Sequence, residues 1–208
     1  MLHRINDRAH ATRRLTKRGW KADAYLHGTY FRFVRGSYSP CQLIRNRKGV
    51  RALFRTLRKR RKRVRGVLMR KKLGKAVQMS SALHRFESDR TPAGRCIFSI
   101  QAVLGTMEQV AAGRKGTSLG VGAANWLQWV DAERILQLGM QTDAADEALV
   151  LTRTVEPECF DEGQLRKEVR NYKDRCRALF WDGCCFNGGF TKVACDALTT
   201  DMAVMMPD

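Results

Sequence analysis

Val50, Leu53, Phe54, Leu57, Val64, Val67 and Leu68 recur at intervals of three and four, with Arg61 filling the one missing step. That spacing predicts an amphipathic helix within residues 41–78, with a narrow apolar stripe. As one piece of about 35 residues it would reach ~50 Å. Further on, Ile97, Ile100, Val103, Leu104, Met107 and Val110 mark a helix ending near Gly113. The stretch "RKGTSLGVGAAN" (114–125) reads as a glycine-rich connection. Trp126, Leu127, Trp129, Val130, Ile135, Leu136 and Leu138 suggest a second helix, and "DAADEALVLTRTV" (143–155) a third, capped by Asp143. Asp161 and Gln164 resemble a capping box opening a fourth, along which Leu165, Val169, Tyr172, Cys176 and Phe180 share one face. "FNGGF" (186–190) is a tight turn. Before residue 41, Gly19, Gly28, Gly36 and Pro40 interrupt the chain, predicting an arm with short helical pieces. The expected fold class is mostly α. An extended basic N-terminal arm (1–40) leads to a long basic helix and connection (41–92), followed by a small, net-acidic α-helical C-terminal region (93–208).

Charge sharpens this division. The 208 residues carry a net +19, but residues 1–80 hold 25 Lys or Arg against Asp7 and Asp23, whereas residues 81–208 hold 14 against 18 acids. No acidic side chain occurs between Asp23 and Glu87. "RALFRTLRKRRKRVRGVLMRKK" (51–72) places twelve cations in twenty-two positions. Cations three and four apart on a helix repel by a few tenths of a kcal/mol per pair. Gly49, Gly66 and Gly74 weaken the helix further, by ~1 kcal/mol each relative to Ala. Such an element calls for a polyanion. The residues expected to contact RNA are Arg45, Arg47, Lys48, Arg51, Arg55, Arg58, Lys59, Arg60, Arg61, Lys62, Arg63, Arg65, Arg70, Lys71, Lys72 and Lys75. Lys17, Arg18, Trp20 and Arg35 join them from the arm. Trp20, Tyr25, Tyr30, Phe31, Phe33 and Tyr38 lie among the arm's cations. They suit stacking on unpaired bases, and equally packing against protein. No apolar run approaches the ~18–20 residues of a membrane-spanning helix.

Little in the chain suggests catalysis. "GVGAAN" (120–125) lacks the third glycine and the preceding strand of a dinucleotide site, and no GxxxxGK[ST] occurs. Of four histidines only His84 follows the basic half, beside Arg85 and without apolar framing. The acids of 131–168 fall where exposed helix faces and caps would put them. Seven cysteines form no CxxC, and the spacing of Cys176, Cys184, Cys185 and Cys195 fits no common zinc motif. They read as free intracellular thiols. The expectation is a non-enzymatic protein with no cofactor, metal or small-molecule substrate. The Arg-rich first residues, with Leu2, Ile5, Ala9 and Leu15 at roughly helical spacing, resemble an organelle-targeting segment and equally a basic RNA-binding arm.

Residues 14–78 resemble the L-twenty family of bacterial-type large-subunit ribosomal proteins, mitochondrial members included. Lys17, Arg18, Gly19, Trp20 and Ala22 match the family's basic–glycine–aromatic start. Arg35 and Gly36 match its Arg-Gly step, and Ala52, Leu53, Arg58, Arg60, Arg61 and Arg63 follow in gapless register. After a two-residue deletion Leu68, Lys72, Leu73 and Ala76 match a further segment, in which Met69, Arg70 and Gly74 replace the family's Trp, Ile and Asn. The resemblance implies a structural constituent of the large ribosomal subunit that binds rRNA and supports assembly. It leaves the last 115 or so residues unexplained. A net-acidic extension of this kind suits packing on neighbouring ribosomal proteins, and with the Arg-rich start it implies a mitochondrial rather than a plastid or bacterial member. The alternative is a non-ribosomal or assembly-factor RNA- or DNA-binding protein.

Overall fold

A computed structural model describes residues 22–59, 79, 90–155 and 161–205, with side chains described to residue 199. The described chain is mostly α-helical, and no strand occurs among the described residues. Its helices are α1 (Ala24–Tyr30), α2 (Pro40–Asn46), α3 (Lys48–Lys59), α4 (Arg90–Phe98), α5 (Ile100–Gly113), α6 (Ser118–Trp129), α7 (Ala132–Val155), α8 (Glu162–Phe180) and α9 (Gly189–Met205). A π-helical turn, Phe31–Arg35, continues α1, and a 3-10 turn, Cys184–Phe186, separates α8 from α9.

Local chemistry sets most of the boundaries. The Asp23 carboxylate accepts from the backbone N–H groups of Tyr25 and Leu26, at 2.8 and 3.0 Å, and opens α1. Ser39 and Pro40 open α2 as cap and first residue. The single helix expected over 41–78 is divided: Arg47 is extended (φ −110°, ψ 111°), so α2 and α3 are separate pieces. The residues beyond Lys59 in that expectation, including Val64, Val67 and Leu68, lie outside the described part. Asp161 accepts from the Gln164 N–H at 2.7 Å, the expected start of α8.

Besides the extended Val130 (φ −74°, ψ 134°), which splits the helix expected over Trp126–Leu138 between α6 and α7, two expectations are corrected. The glycine-rich stretch 114–125 is a connection only to Thr117, whose hydroxyl accepts from Gly120 N–H at 3.1 Å and starts α6. Gly120 and Gly122 are helical residues at close contacts: a Cβ on Gly120 would collide with the Arg114 carbonyl, and one on Gly122 would lie 2.5 Å from the Tyr38 ring. Secondly, Asp143 does not begin a helix. It lies within α7, which runs unbroken for 24 residues, about 36 Å. The buried Asp143 carboxylate instead caps α9, accepting from Phe190 N–H (2.7 Å), Thr191 N–H (2.9 Å) and the Thr191 hydroxyl (2.7 Å). Gly139, one turn earlier, permits this approach, because a Cβ there would lie 2.9 Å from Thr191 Cα.

Helix α7 packs against α1, α4, α8 and α9, while α5 packs against α3 and α6. One buried cluster joins Phe33, Ile44, Val50 and Phe54 of the basic half to Ile97, Val103, Met107, Trp126, Leu138 and Phe190. The change in charge along the sequence therefore does not divide the core. Helix α8 has no buried residue; Leu165, Val169, Tyr172, Cys176 and Phe180 are half-buried along one side, and Arg175 pairs with Glu147 of α7 at 2.6 Å. No described helix is long and apolar enough to cross a membrane.

The described cysteines are free thiols of very different exposure. Contact with the Cys96 thiol, and then burial, push the Cys41 thiol well above its usual range. The stabilisation linked to that proton is complete below the ordinary thiol range and is lost as pH climbs through the raised value. Iodoacetamide labelling of the native protein at mildly alkaline pH, mapped by mass spectrometry, is expected to modify Cys184 first among these thiols. Cys41, Cys96 and Cys185, all buried, should react only on unfolding.

Candidate nucleic-acid interface

Twelve residues of α3, KGVRALFRTLRK, divide cleanly around the helix. Val50, Leu53, Phe54 and Leu57 occupy one side and Lys48, Arg55 and Lys59 the opposite one, with Arg51 and Arg58 at the flank. Val50 and Phe54 are buried, with Leu53 and Leu57 packed at the edge of the same core. The helix runs antiparallel to α5: Leu57 sits by Gly105, and Gly49 lies by the Arg114 guanidinium that follows α5. The core thus holds the helix from behind and turns its cations outward.

Arg45, Arg47, Lys48, Arg55 and Lys59 are exposed, and none forms an ion pair among the described residues. Helix α3 has no acid, and α5 has a single one, Glu108, likewise unpaired among the described residues. Arg51 has a different role from the one expected of it as a free RNA contact. Its guanidinium folds back across the Arg47 break, donating to the Ile44 carbonyl at 3.1 Å and to that of Arg45. It satisfies carbonyls that the end of α2 leaves without helical partners. Arg58 is half-buried, and the half-buried Arg35 lies 5.6 Å over the Tyr30 ring. Lys17, Arg18, Trp20, Arg60, Arg61, Lys62, Arg63, Arg65, Arg70, Lys71, Lys72 and Lys75 lie outside the described residues.

Two exposed cations outside the expected set, Arg114 and Lys115, stand in the turn beside the start of α3. Only the antiparallel pairing of α3 with α5 brings them there, and no local pattern signals it. The arm's aromatics separate by environment. Tyr30 and Phe33 are buried, Phe33 meeting Trp126 and Trp129 edge-on at 5.4 and 5.5 Å. Tyr25 is exposed, but its hydroxyl donates to Glu133 at 3.0 Å, which raises its pKa. Phe31 and Tyr38 are 47% and 44% exposed and flank a shallow groove of about 470 Å³. Val121, Gly122, Asn125 and Trp126 of α6 form its other wall. Trp126 is fixed there by its indole N–H, which donates to the Arg32 carbonyl at 3.1 Å.

No group of three His, Cys, Asp or Glu side chains among the described residues is placed to hold a metal ion. The arrangement can neutralise phosphates along α3 and offer aromatic surface beside them. No protein-family model matches the chain, and no curated protein or solved structure matches it.

Proposed function

We propose that the protein is a non-catalytic structural constituent of the large ribosomal subunit, in mitochondria, that binds rRNA and supports subunit assembly. The observation that carries the RNA-binding part is the cationic side of α3, a row in which Lys48, Arg55 and Lys59 are exposed and form no ion pair among the described residues, on a helix whose other side is seated in the chain's own core. Phosphates would relieve the repulsion along this row, and released counterions would supply affinity. A fixed row of cations selects the shape of a folded RNA rather than its base sequence. The ribosomal part of the proposal rests on the L-twenty resemblance of residues 14–78. Residues 93–208 would face neighbouring ribosomal proteins; Trp181, 83% exposed, and Phe186, 49% exposed, offer apolar contacts for that purpose.

Sedimentation of a mitochondrial lysate through gradients at moderate and then high salt tests the reading. The expected result is co-migration with the mature large subunit that survives high salt. Migration with lighter precursor particles, or release in high salt, would instead identify an assembly factor or another nucleic-acid-binding protein. Absence from every RNA-containing fraction would remove the RNA-binding reading itself.

A further inference from the structure

We propose that the groove between Phe31, Tyr38 and α6 holds an unpaired nucleotide of the RNA whose phosphates lie along α3. The inference rests on the RNA-binding reading above and adds a second, chemically different contact to it.

Phe31, Tyr38 and Val121 are among the few large apolar side chains that the described chain leaves about half exposed, and all three border this one groove. The two rings are held in place. Tyr38 lies against Gly122, where a Cβ would approach its ring to 2.5 Å, and Phe31 lies against Gly36, where a Cβ would be 3.3 Å away. Preset aromatic faces can stack on a base without first being ordered, which lowers the entropic cost of binding. Asn125 places an amide in the wall, with both donor and acceptor for a base edge.

Charge selects the occupant. No acidic residue among the described ones lines the groove; Arg32 does, with its guanidinium 4.9 Å over the neighbouring Trp129 ring. The groove is connected to the cationic row through the turn that precedes α6. It reaches Ser118, the first residue of α6, and Thr117 just before it donates its hydroxyl to the Arg114 carbonyl at 2.8 Å. Arg114 in turn stands by Gly49 at the start of α3. A strand leaving α3 past Arg114 and Lys115 would enter the groove directly. An apolar peptide would gain nothing from these cations, whereas a nucleotide uses both the rings and the charge.

The test uses the purified full-length protein and two RNAs, an A-form hairpin and the same hairpin with a single-stranded extension containing 2-aminopurine. At fixed moderate salt the extension is expected to tighten binding about 10- to 100-fold and to have its fluorescence quenched by stacking. The double variant Phe31→Leu/Tyr38→Leu, which keeps apolar bulk but removes the π-faces, should lose the gain and the quenching while binding the plain hairpin as before. Val121→Glu, at an exposed helical position, should do the same by placing a carboxylate in the groove. It keeps the test decisive if the double variant melts at a lower temperature. Equal wild-type affinity for the two RNAs, or a gain that survives in a folded variant, would overturn the groove assignment and leave the α3 reading standing. Failure of the wild-type protein to bind either RNA at low salt would overturn both.

Discussion

Replacing Asp143 with Ala is expected to lower the stability of the fold by about 3–5 kcal/mol. The carboxylate accepts three hydrogen bonds from the first turn of α9, and both it and Thr191 are buried. Its removal leaves two backbone N–H groups and a hydroxyl where water cannot readily replace the lost acceptor, at about 1–3 kcal/mol for each group left unsatisfied. It also removes a negative charge from the positive end of a helix. In a chain of this size the loss corresponds to a melting temperature lower by roughly 10–15 °C. Asp143→Asn retains an acceptor oxygen without the charge and should show about half the effect. Thermal denaturation followed by circular dichroism checks both variants; an unchanged melting temperature for Asp143→Ala would mean that the cap contributes nothing.

The second large effect concerns binding. Reversal of Arg47, Lys48, Arg55 and Lys59 to Glu is expected to weaken RNA binding by at least about 1,000-fold at moderate salt. The slope of log affinity against log salt should become shallower by about 3–4, close to one for each phosphate contact removed. Arg51 is left unchanged in this variant because its guanidinium caps α2, and reversing it would confound binding with folding. The four chosen side chains are exposed and form no ion pair among the described residues, so the melting temperature should hold or rise slightly as repulsion falls. A single Arg55→Ala change should cost only about tenfold or less. Titration against a labelled structured RNA over a salt series provides the measurement. A reversed variant that binds with an unaltered salt slope would place the interface elsewhere in the chain.

The sequence was most informative where one element suffices to explain a residue. The Asp161–Gln164 cap, the end of α5 at Gly113 and the apolar side of α3 are local matters of capping and helical period, and all were legible. Asp143 was misread because Asp before a helical pattern has the composition of a cap; that it caps a helix starting 46 residues later depends on the α7–α9 contact. The glycines of 114–125 suggested a loop because glycine weakens helices. At Gly120 and Gly122 the missing Cβ is instead required by the Arg114 carbonyl and the Tyr38 ring, neither of which a local reading can see. The charge census identified the basic stretch but could not separate Arg51, spent on backbone carbonyls, from Arg55, which faces outward. Likewise, aromatic composition alone left Phe31 and Phe33 equivalent, although one is half exposed and the other fully buried.

The docking of α3 on α5 also determines when its ordering cost is met. Fixing a backbone residue costs about 1–2 kcal/mol of conformational entropy. For the twelve residues of α3 that cost falls on folding of the protein, where burial of Val50 and Phe54 offsets it, and not on association. A partner therefore meets a preorganised helix. Affinity should be insensitive to core mutations that leave nearly all molecules folded, and then decline in proportion to the folded fraction once that fraction drops. The stability of α5 and the strength of binding at α3 are in this way a single linked equilibrium.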